Sequence, residues 1–241
     1  MDALIMAAGR GSRLGGLTDD LPKSLISLGD RSALELQIDV LASRGVSRAI
    51  IATGYRADLV RSAAERRARD RLALEFAFNP FWSVTNVLGS AWFARTMLAD
   101  DFVYLHADTV FEPTILDDLL ASPADVSLPV DMRPVEPEQM KAEVVDGRVL
   151  ELSKELPDER SAGEFIGIGL FRARIVPALR AAIESEIETG AAAAYFEAAI
   201  NRLIAEGQVV HALDVHGRPW TEIDFVEDLE VARAQLPDLL P

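Results

Sequence analysis

Apolar residues in the first half of the chain follow two patterns, one typical of β-strands and one typical of α-helices. Short apolar or alternating runs, typical of buried strands, cover residues 2–7, 48–53, 73–78 and 101–106. Between them, apolar residues at helical spacing predict helices over residues 32–44, 57–69 and 87–98. Because strands and helices alternate, this half predicts an α/β domain with a mostly parallel sheet and helices on both faces.

The second half is more mixed. Residues 141–152 predict a hairpin that turns at Asp146-Gly147, and two glycines in a predicted strand over 164–171 suggest close approach by a ligand or another backbone. Further strands are expected at 125–130 and 208–213, helices at 173–188, 191–206 and 225–235, and loops at 131–139 and 154–163. Since the chain contains no repeat or low-complexity linker, we expect one domain.

Composition narrows the class of protein. The 241 residues carry 39 acidic and 24 basic side chains, a net charge of −15, which argues against nucleic acid or an anionic membrane surface as a partner. No cysteine is present, so disulfides and thiolate metal sites are excluded. The N-terminus begins directly with a strand, and no apolar run is long enough to span a membrane. We therefore expect a cytoplasmic protein, and the sequence leaves open whether it forms a homo-oligomer.

A glycine-rich turn follows the first strand, with Arg13 inside it and a Pro-Lys pair at Lys23. Glycines let backbone N–H groups approach an anion closely, and the two side chains would add positive charge for a polyphosphate. A dinucleotide-binding turn would need a glycine at the place of Leu14, and a phosphate loop would need glycine before Lys23 where Pro22 stands. The remaining alternative is an ordinary surface turn with incidental glycines.

Two aspartates have the chemistry of magnesium ligands. Asp108 follows a predicted strand, and Asp224 ends the segment Trp220-Thr221-Glu222-Ile223-Asp224. Carboxylates at strand ends can hold Mg²⁺ together with substrate phosphates. The alternative for each is an N-terminal cap of the helix that follows, with Glu227 completing a capping-box pattern for Asp224. The residues alone leave both alternatives open.

The chain has only three lysines among its 24 basic residues. A lysine is a compact point charge suited to phosphate, and Lys154 could neutralise an acceptor phosphate. The alternative is a solvated charge paired with Glu151 or Glu155. Lys141, beside Glu143, is expected to be an ordinary surface charge.

Taken together, these motifs resemble those of the nucleotidyltransferases. The opening turn, Asp108, the segment Ser153-Lys154-Glu155 and the Trp-x-Glu-Ile-Asp ending occur in the order found in that superfamily. Thr85-Asn86-Val87-Leu88-Gly89-Ser90 and Glu164-Phe165-Ile166-Gly167-Ile168 resemble motifs of its phosphocholine cytidylyltransferase-like group. The resemblance implies a Rossmann-like, mixed, mostly parallel sheet flanked by helices, as in nucleotide-diphospho-sugar transferases. It also implies a nucleotide-binding half over 1–122 and an acceptor-binding half over 123–241.

The resemblance also implies roles for individual residues. Asp108 and Asp224 would hold Mg²⁺ as cofactor, while Arg13 and Lys23 would hold the triphosphate, and these four would carry catalysis. The nucleotide would be bound by Ala7, Ala8, Gly9, Gly11, Ser12, Arg13, Lys23, Asn86, Ser90 and Asp108. The acceptor would be bound by Trp82, Lys154, Glu164, Tyr195, Trp220 and Glu222.

The implied reaction is attack of an acceptor phosphate on the α-phosphorus of CTP, with release of pyrophosphate. Because a phosphate monoester is already ionised at neutral pH, no general base is required, and His106 is expected to be satisfied in or beside its strand. Phosphocholine, aminoethylphosphonate and inositol phosphate are the acceptors of the group, and Phe81, Trp82, Tyr195, Phe196 and Trp220 are candidate walls of a cage or core residues. The alternatives are a sugar-1-phosphate nucleotidyltransferase using UTP or another NTP, and a non-catalytic nucleotide-binding module.

Overall fold

A ten-stranded sheet and a separate two-stranded sheet organise residues 1–240, which are the residues described in the computed structural model of the protein. The strands are β1 (Asp2–Ala7), β2 (Arg48–Thr53), β3 (Ala73–Phe78), β4 (Phe102–His106), β5 (Thr109–Phe111), β6 (Val126–Asp131), β7 (Lys141–Val145), β8 (Arg148–Ser153), β9 (Gly163–Phe165), β10 (Ile168–Phe171), β11 (Val210–Asp214) and β12 (Trp220–Glu222). The α-helices are α1 (Ala33–Ser43), α2 (Ala57–Ala68), α3 (Val87–Ala94), α4 (Pro113–Ala121), α5 (Val176–Glu188), α6 (Glu197–Ala205) and α7 (Val226–Gln235).

The large sheet has the order β11-β8-β7-β9-β6-β10-β4-β1-β2-β3, and β11 also pairs with β6. The strands β4, β1, β2 and β3 are parallel neighbours. Seven strands share one direction, and β8, β9 and β10 run against them. The fold is therefore the predicted mixed, mostly parallel sheet with helices on its faces.

Three apolar clusters hold the layers together. Two cover the opposite faces of the sheet, with Leu4 and Tyr104 in one and Ile5 and Leu105 in the other. Adjacent residues of one strand enter opposite clusters because side chains alternate across a strand. The third cluster includes Leu14, from the glycine-rich turn, and Ile223, which directly precedes Asp224. This third cluster ties the two ends of the chain together beside the sheet.

Most predicted elements are confirmed, and the hairpin turns at Asp146 and Gly147, both with positive φ. The helix predicted over 191–206 is wrong in its first turns, because residues 191–196 form turns and α6 begins only at Glu197. The strand predicted over 164–171 is interrupted at Gly167, whose φ is 74°. A Cβ at this position would lie 2.7 Å from His106 Nδ1, so the close neighbour of Gly167 is a side chain.

No helix among residues 1–240 combines the length and the apolar character that a membrane span requires.

Candidate active site

A cavity of about 890 Å³ opens beyond the ends of β1 and β4. Residues from both halves of the chain line it. Of the residues predicted to bind nucleotide or metal, it contains Gly9, Gly11, Ser12, Arg13, Lys23, Asn86, Asp108 and Asp224. Of those predicted to bind the acceptor, it contains Lys154, Glu164, Tyr195, Trp220 and Glu222. Ala7, Ala8, Ser90 and Trp82 do not line it.

The glycine-rich turn is built around Lys23. Gly11 has a φ of 80°, and a Cβ placed on it would lie 2.5 Å from the Cβ of Lys23. The backbone N–H of Lys23 donates to the carbonyl of Arg10 at 3.2 Å. Glycine at position 11 therefore permits both the left-handed backbone and the close passage of the Lys23 side chain.

Asp108 and Asp224 are brought together by the small sheet that the sequence did not predict. Strands β5 and β12 pair with Glu222 opposite Thr109, and the N–H of Ile223 donates to the carbonyl of Asp108 at 3.1 Å. Ile223 is fully buried. The buried amide of Gln37 donates to the carbonyls of His106 and Thr109, each at 2.7 Å, and fixes the chain on both sides of Asp108.

The ammonium group of Lys23 lies between the two aspartates, 2.6 Å from Asp108 Oδ2 and 2.5 Å from Asp224 Oδ1. Burial would lower the pKa of Lys23, but the two carboxylates outweigh this effect and raise it above its ordinary value. Arg13 Nη1 contacts the second oxygen of Asp224 at 2.9 Å, and Arg13 also contacts Glu138 at 3.4 Å. The predicted triphosphate cations and the predicted metal carboxylates thus form one connected cluster.

The two aspartates fit a magnesium ion. Asp108 Oδ1 is buried and has no hydrogen-bond partner among the described residues, so this oxygen is left for a ligand. Both carboxylates face the point that Lys23 Nζ occupies. Hard oxygen donors of this kind suit Mg²⁺, which prefers one or two carboxylates together with substrate phosphates. His106 and Glu222 offer further ligand atoms beside Asp108, within 4.8 Å of one another.

Neither aspartate caps a helix. After Asp108 the chain forms β5, and α4 begins at Pro113. At α7, the side chain of Asp228 accepts from the N–H groups of Asp224 at 2.8 Å and Phe225 at 2.7 Å. Asp228 therefore stabilises the start of this helix, and the side chain of Asp224 is directed to Lys23 and Arg13.

Lys154 and Tyr195 form a second cationic feature of the cavity. Lys154 Nζ lies 5.2 Å from the centre of the Tyr195 ring, an arrangement typical of a cation–π contact. Lys154 makes no ion pair with the described residues, so the pairing with Glu151 or Glu155, which was the alternative to an acceptor role, is not formed. Lys141, by contrast, was expected on the surface and is buried, donating to the carbonyl of Leu156 at 3.1 Å and to Asp158 at 2.6 Å.

The charge of Lys154 acts on carboxyl groups of the cavity, among them Glu164 and Glu197. Glu164 is 7% exposed, and burial together with the neighbouring Glu222 and Asp131 raises its pKa to about 8. Asp131 accepts from Arg133 Nε at 2.8 Å and from the indole of Trp220 at 2.7 Å. Burial would raise the pKa of Asp131, but these hydrogen bonds lower it, so Asp131 is ionised and already neutralised.

His106 lines the cavity and, as expected of a satisfied residue beside its strand, both of its ring nitrogens have partners. Its Nε2 is 2.9 Å from the hydroxyl of the buried Tyr104, and its Nδ1 is 3.4 Å from Glu222 Oε1. Burial opposes the charge of the imidazole, but the contact with Glu222 raises the pKa of His106 and lowers that of Glu222. The pair is therefore held as imidazolium and carboxylate.

The four predicted residues outside the cavity have structural partners. Trp82 packs against Tyr55, with ring centres 5.1 Å apart. Ser90 is buried and accepts from the amide of Asn79 at 3.0 Å. Ala7 and Ala8 are buried at the end of β1, and the carbonyl of Ala8 accepts from the N–H of Tyr55 at 2.9 Å.

The cavity also contains residues that the sequence did not single out, among them Asp131, Arg133 and Glu197. Asp131 ends β6, so its position at the end of a strand could have identified it. Glu197 starts α6, and the misplaced helix over 191–206 concealed that position. Gln37 does not line the cavity but fixes the chain beside Asp108. It could also have been noticed in the sequence, because it is an uncharged polar residue among the apolar residues of a predicted helix.

Comparison with known proteins adds to this geometry. The CMP-5'-(3-aminopropyl)phosphonate synthase of Streptomyces rubellomurinus is 30% identical over 237 residues, which cover 92% of this chain and 36% of that protein. The CTP:phosphoglutamine cytidylyltransferase of Campylobacter jejuni is 25% identical over 256 residues, which cover 96% of this chain and 98% of that protein. This chain therefore spans little more than a third of the first relative and nearly all of the second.

A solved structure and a family model match this chain as well. The structure of the inositol-1-phosphate CTP transferase from T. maritima matches with a TM-score of 0.78 at 18% identity, covering 100% of this chain and 97% of that one. Residues 3–203 match the model of the MobA-like NTP transferase domain. That match covers most of the chain, and with the glycine-rich turn, Lys23 and the paired aspartates it assigns this protein to the family of MobA-like NTP transferase domains.

Proposed function

We propose that this protein transfers a cytidylyl group from CTP to a small phosphorylated or phosphonate acceptor in the cytoplasm and releases pyrophosphate. The observation that carries the proposal is one cavity with two positive centres. Lys23 and Arg13 lie on the glycine-rich turn beside Asp108 and Asp224, and Lys154 lies among the predicted acceptor residues. A nucleoside triphosphate and a phosphorylated acceptor each require such a centre.

In this proposal the residues of the first half bind the nucleotide. Gly9 and Gly11 let the triphosphate approach the backbone, and Arg13 and Lys23 neutralise it. Asn86, which lines the cavity, reads the base. Asp108 and Asp224 would hold Mg²⁺, which when bound acts as a Lewis acid and template for the phosphates.

The chemical step is an in-line substitution. An oxygen of the acceptor phosphate or phosphonate forms a bond to the α-phosphorus of CTP, and the bond from that phosphorus to the bridging oxygen of pyrophosphate breaks. The attacking oxygen is already anionic at neutral pH, so no side chain has to remove a proton. Lys154 holds the acceptor group, while Lys23 and Arg13 stabilise the charge that develops on pyrophosphate.

The test is pyrophosphate release by the full chain with Mg²⁺, each of the four NTPs, and a panel of acceptors. The panel contains phosphocholine, aminoethylphosphonate, inositol phosphate and sugar 1-phosphates. We expect release with CTP and a non-sugar acceptor. Release only with UTP or another NTP and a sugar 1-phosphate would replace this proposal by a sugar nucleotidyltransferase. Nucleotide binding without release for any pair would favour a non-catalytic module.

A further inference from the structure

The large sheet has one open edge. At its other end β11 pairs with both β8 and β6, so that end is closed. Among the strands of this sheet in residues 1–240, only β3 pairs on one side alone, with β2. An edge strand presents unpaired N–H and C=O groups, which are a template for a further strand.

Alternate residues of β3 direct their hydrogen-bonding groups outward. The N–H groups of Ala73 and Asn79 donate to carbonyls on the β2 side, at 3.1 and 2.8 Å. Because the direction of hydrogen bonding alternates along a strand, the N–H and C=O groups of Leu74, Phe76 and Phe78 face away from β2. These three residues form the free edge.

Strand β3 lacks the features by which proteins protect an open edge. It contains no lysine, proline or bulge, and it pairs in register with β2 over all six residues. Its one charged residue, Glu75, contacts Arg48 of β2 at 2.9 Å. Phe78, and Phe81 and Val84 just after the strand, are 51%, 57% and 74% exposed. An unprotected edge beside exposed apolar side chains is typical of an interaction surface.

Helix α2 lies beside this edge, and the flank that it turns to β3 is charged. Asp58, Arg61 and Glu65 follow one another at spacings of three and four residues, so they share one face of the helix. Arg61 lies over the ring of Phe76, 4.2 Å from its centre, which places this face on the β3 side. Arg69, just after the helix, continues the alternation of negative and positive charge. These four charged side chains are exposed, and none makes an ion pair with a described residue.

The charge order of this flank is self-complementary about a two-fold axis. A second copy whose β3 runs antiparallel to the first also has its α2 antiparallel, on the same face of the sheet. Arg61 of each copy then comes opposite Glu65 of the other, and Asp58 comes toward the end of the helix at which Arg69 lies. A parallel copy in the same register would set like charges side by side, so the charges favour the antiparallel arrangement.

The register of the two strands follows from Glu75. Pairing centred on Phe76 sets Glu75 opposite Ala77 of the other copy, and Leu74 opposite Phe78. Pairing centred on Glu75 would set two glutamates directly opposite one another, which is unfavourable. The register centred on Phe76 therefore combines apolar contacts with the absence of a like-charge pair.

We propose that this chain forms a two-fold dimer in which the β3 strands of two copies pair antiparallel about Phe76 and the α2 helices lie side by side. The sheet then continues from one copy into the other. None of the residues that form this interface lines the cavity. Assembly and the chemistry of the cavity can therefore be tested separately.

Sedimentation velocity of the full chain over a range of concentrations tests the proposal. We expect the wild type to dimerise with a dissociation constant of about 10 μM or lower. Phe78→Lys adds a charge to the paired edge and should weaken the dimer by about tenfold or more. Circular dichroism should show that the fold of this variant is unchanged, because Phe78 is half exposed.

Charge reversal on α2 tests the antiparallel arrangement. Arg61→Glu and Glu65→Arg each set two pairs of like charges opposite one another in the dimer, and each should weaken it by about tenfold. The double variant Arg61→Glu/Glu65→Arg restores opposite charges across the axis and should recover the wild-type constant to within about threefold. Arg66→Glu is the matched control, since it changes the net charge equally at an exposed residue outside this flank. It should change the constant by less than about twofold.

A wild type that stays monomeric up to about 100 μM would overturn the proposal. Equal effects of Arg61→Glu and Arg66→Glu, or a double variant as weak as the single ones, would also overturn it. A dimer that Phe78→Lys leaves intact would mean that the copies meet through another surface. Pyrophosphate release per chain should be the same for Phe78→Lys and the wild type, so a lost dimer and a failure of the proposed function are distinguishable.

Discussion

Lys23 joins the two parts of the candidate chemistry. Its ammonium group contacts Asp108 and Asp224, while its backbone is fixed to the glycine-rich turn. The charge of Lys23 is shared by both carboxylates, and Arg13 adds a second positive charge at Asp224 only, so the excess of negative charge is on the side of Asp108. The unpartnered oxygen of Asp108 indicates where that excess lies.

We expect Asp108→Asn and Asp224→Asn each to reduce Mg²⁺-dependent pyrophosphate release by about a hundredfold or more, because an amide oxygen is a weaker magnesium ligand and leaves Lys23 undercompensated. Steady-state rates across a Mg²⁺ titration measure the effect. Circular dichroism should show an unchanged fold, and the exposed Asp100→Asn serves as the control. Near-normal rates in either cluster variant would remove that aspartate from metal binding.

The sequence could not show which of its lysines are buried in the fold and which line the cavity. Lys141 and Lys154 both stand beside glutamates, and only the resemblance of Ser153-Lys154-Glu155 to a segment of the superfamily distinguished them. The difference arises from long-range packing. Lys141 is covered where β7 meets the loop at Asp158, and Lys154 opens into the cavity. Lys23, in contrast, was predictable because the glycine-rich turn that positions it is contiguous in sequence.

At the scale of elements, contiguous patterns were predictable and pairings between distant segments were not. The strands over 2–7, 48–53 and 73–78 agree with β1, β2 and β3 because each is a short run with clear ends. Strands β5 and β12 have three residues each and exist only because they pair with one another. A three-residue strand carries too short a pattern to be recognised, although this pair brings the aspartates together.

Replacement of Gly11 by alanine tests how the turn positions Lys23. The new Cβ would overlap the Lys23 side chain, and the φ of 80° is unfavourable for alanine. We expect the KM for CTP to rise by about tenfold, because the displaced lysine no longer meets the triphosphate. Gly147→Ala is the matched control, since its φ is 73° but a Cβ there meets no atom within 4 Å. Equal KM values for the two variants would contradict this role of Gly11.

At the scale of the whole molecule, the net charge of −15 argues against nucleic acid as a partner but gives no information about the cavity. Arg13, Lys23, Lys154 and the imidazolium of His106 gather there in spite of the overall charge. The resemblance of the motifs predicted the family and the mostly parallel sheet. It could not predict Asp131 or Glu197, which reach the cavity through the packing of the second half.

The dependence of stability on pH gives a test that involves the whole fold. The pKa of Glu164 is raised from 4.5 to about 8 in the folded protein, through burial and the neighbouring Glu222 and Asp131, against the opposing charges of Arg133 and Lys154. Between these values the folded chain holds a proton that the unfolded chain releases, so stability falls as pH rises. We expect the free energy of unfolding of the wild type, relative to that of Glu164→Gln, to fall by about 1–4 kcal/mol between about pH 5 and pH 8. Urea unfolding of both proteins at several pH values measures this difference. Parallel curves would mean that Glu164 is ionised in the folded protein, and so already neutralised by a partner.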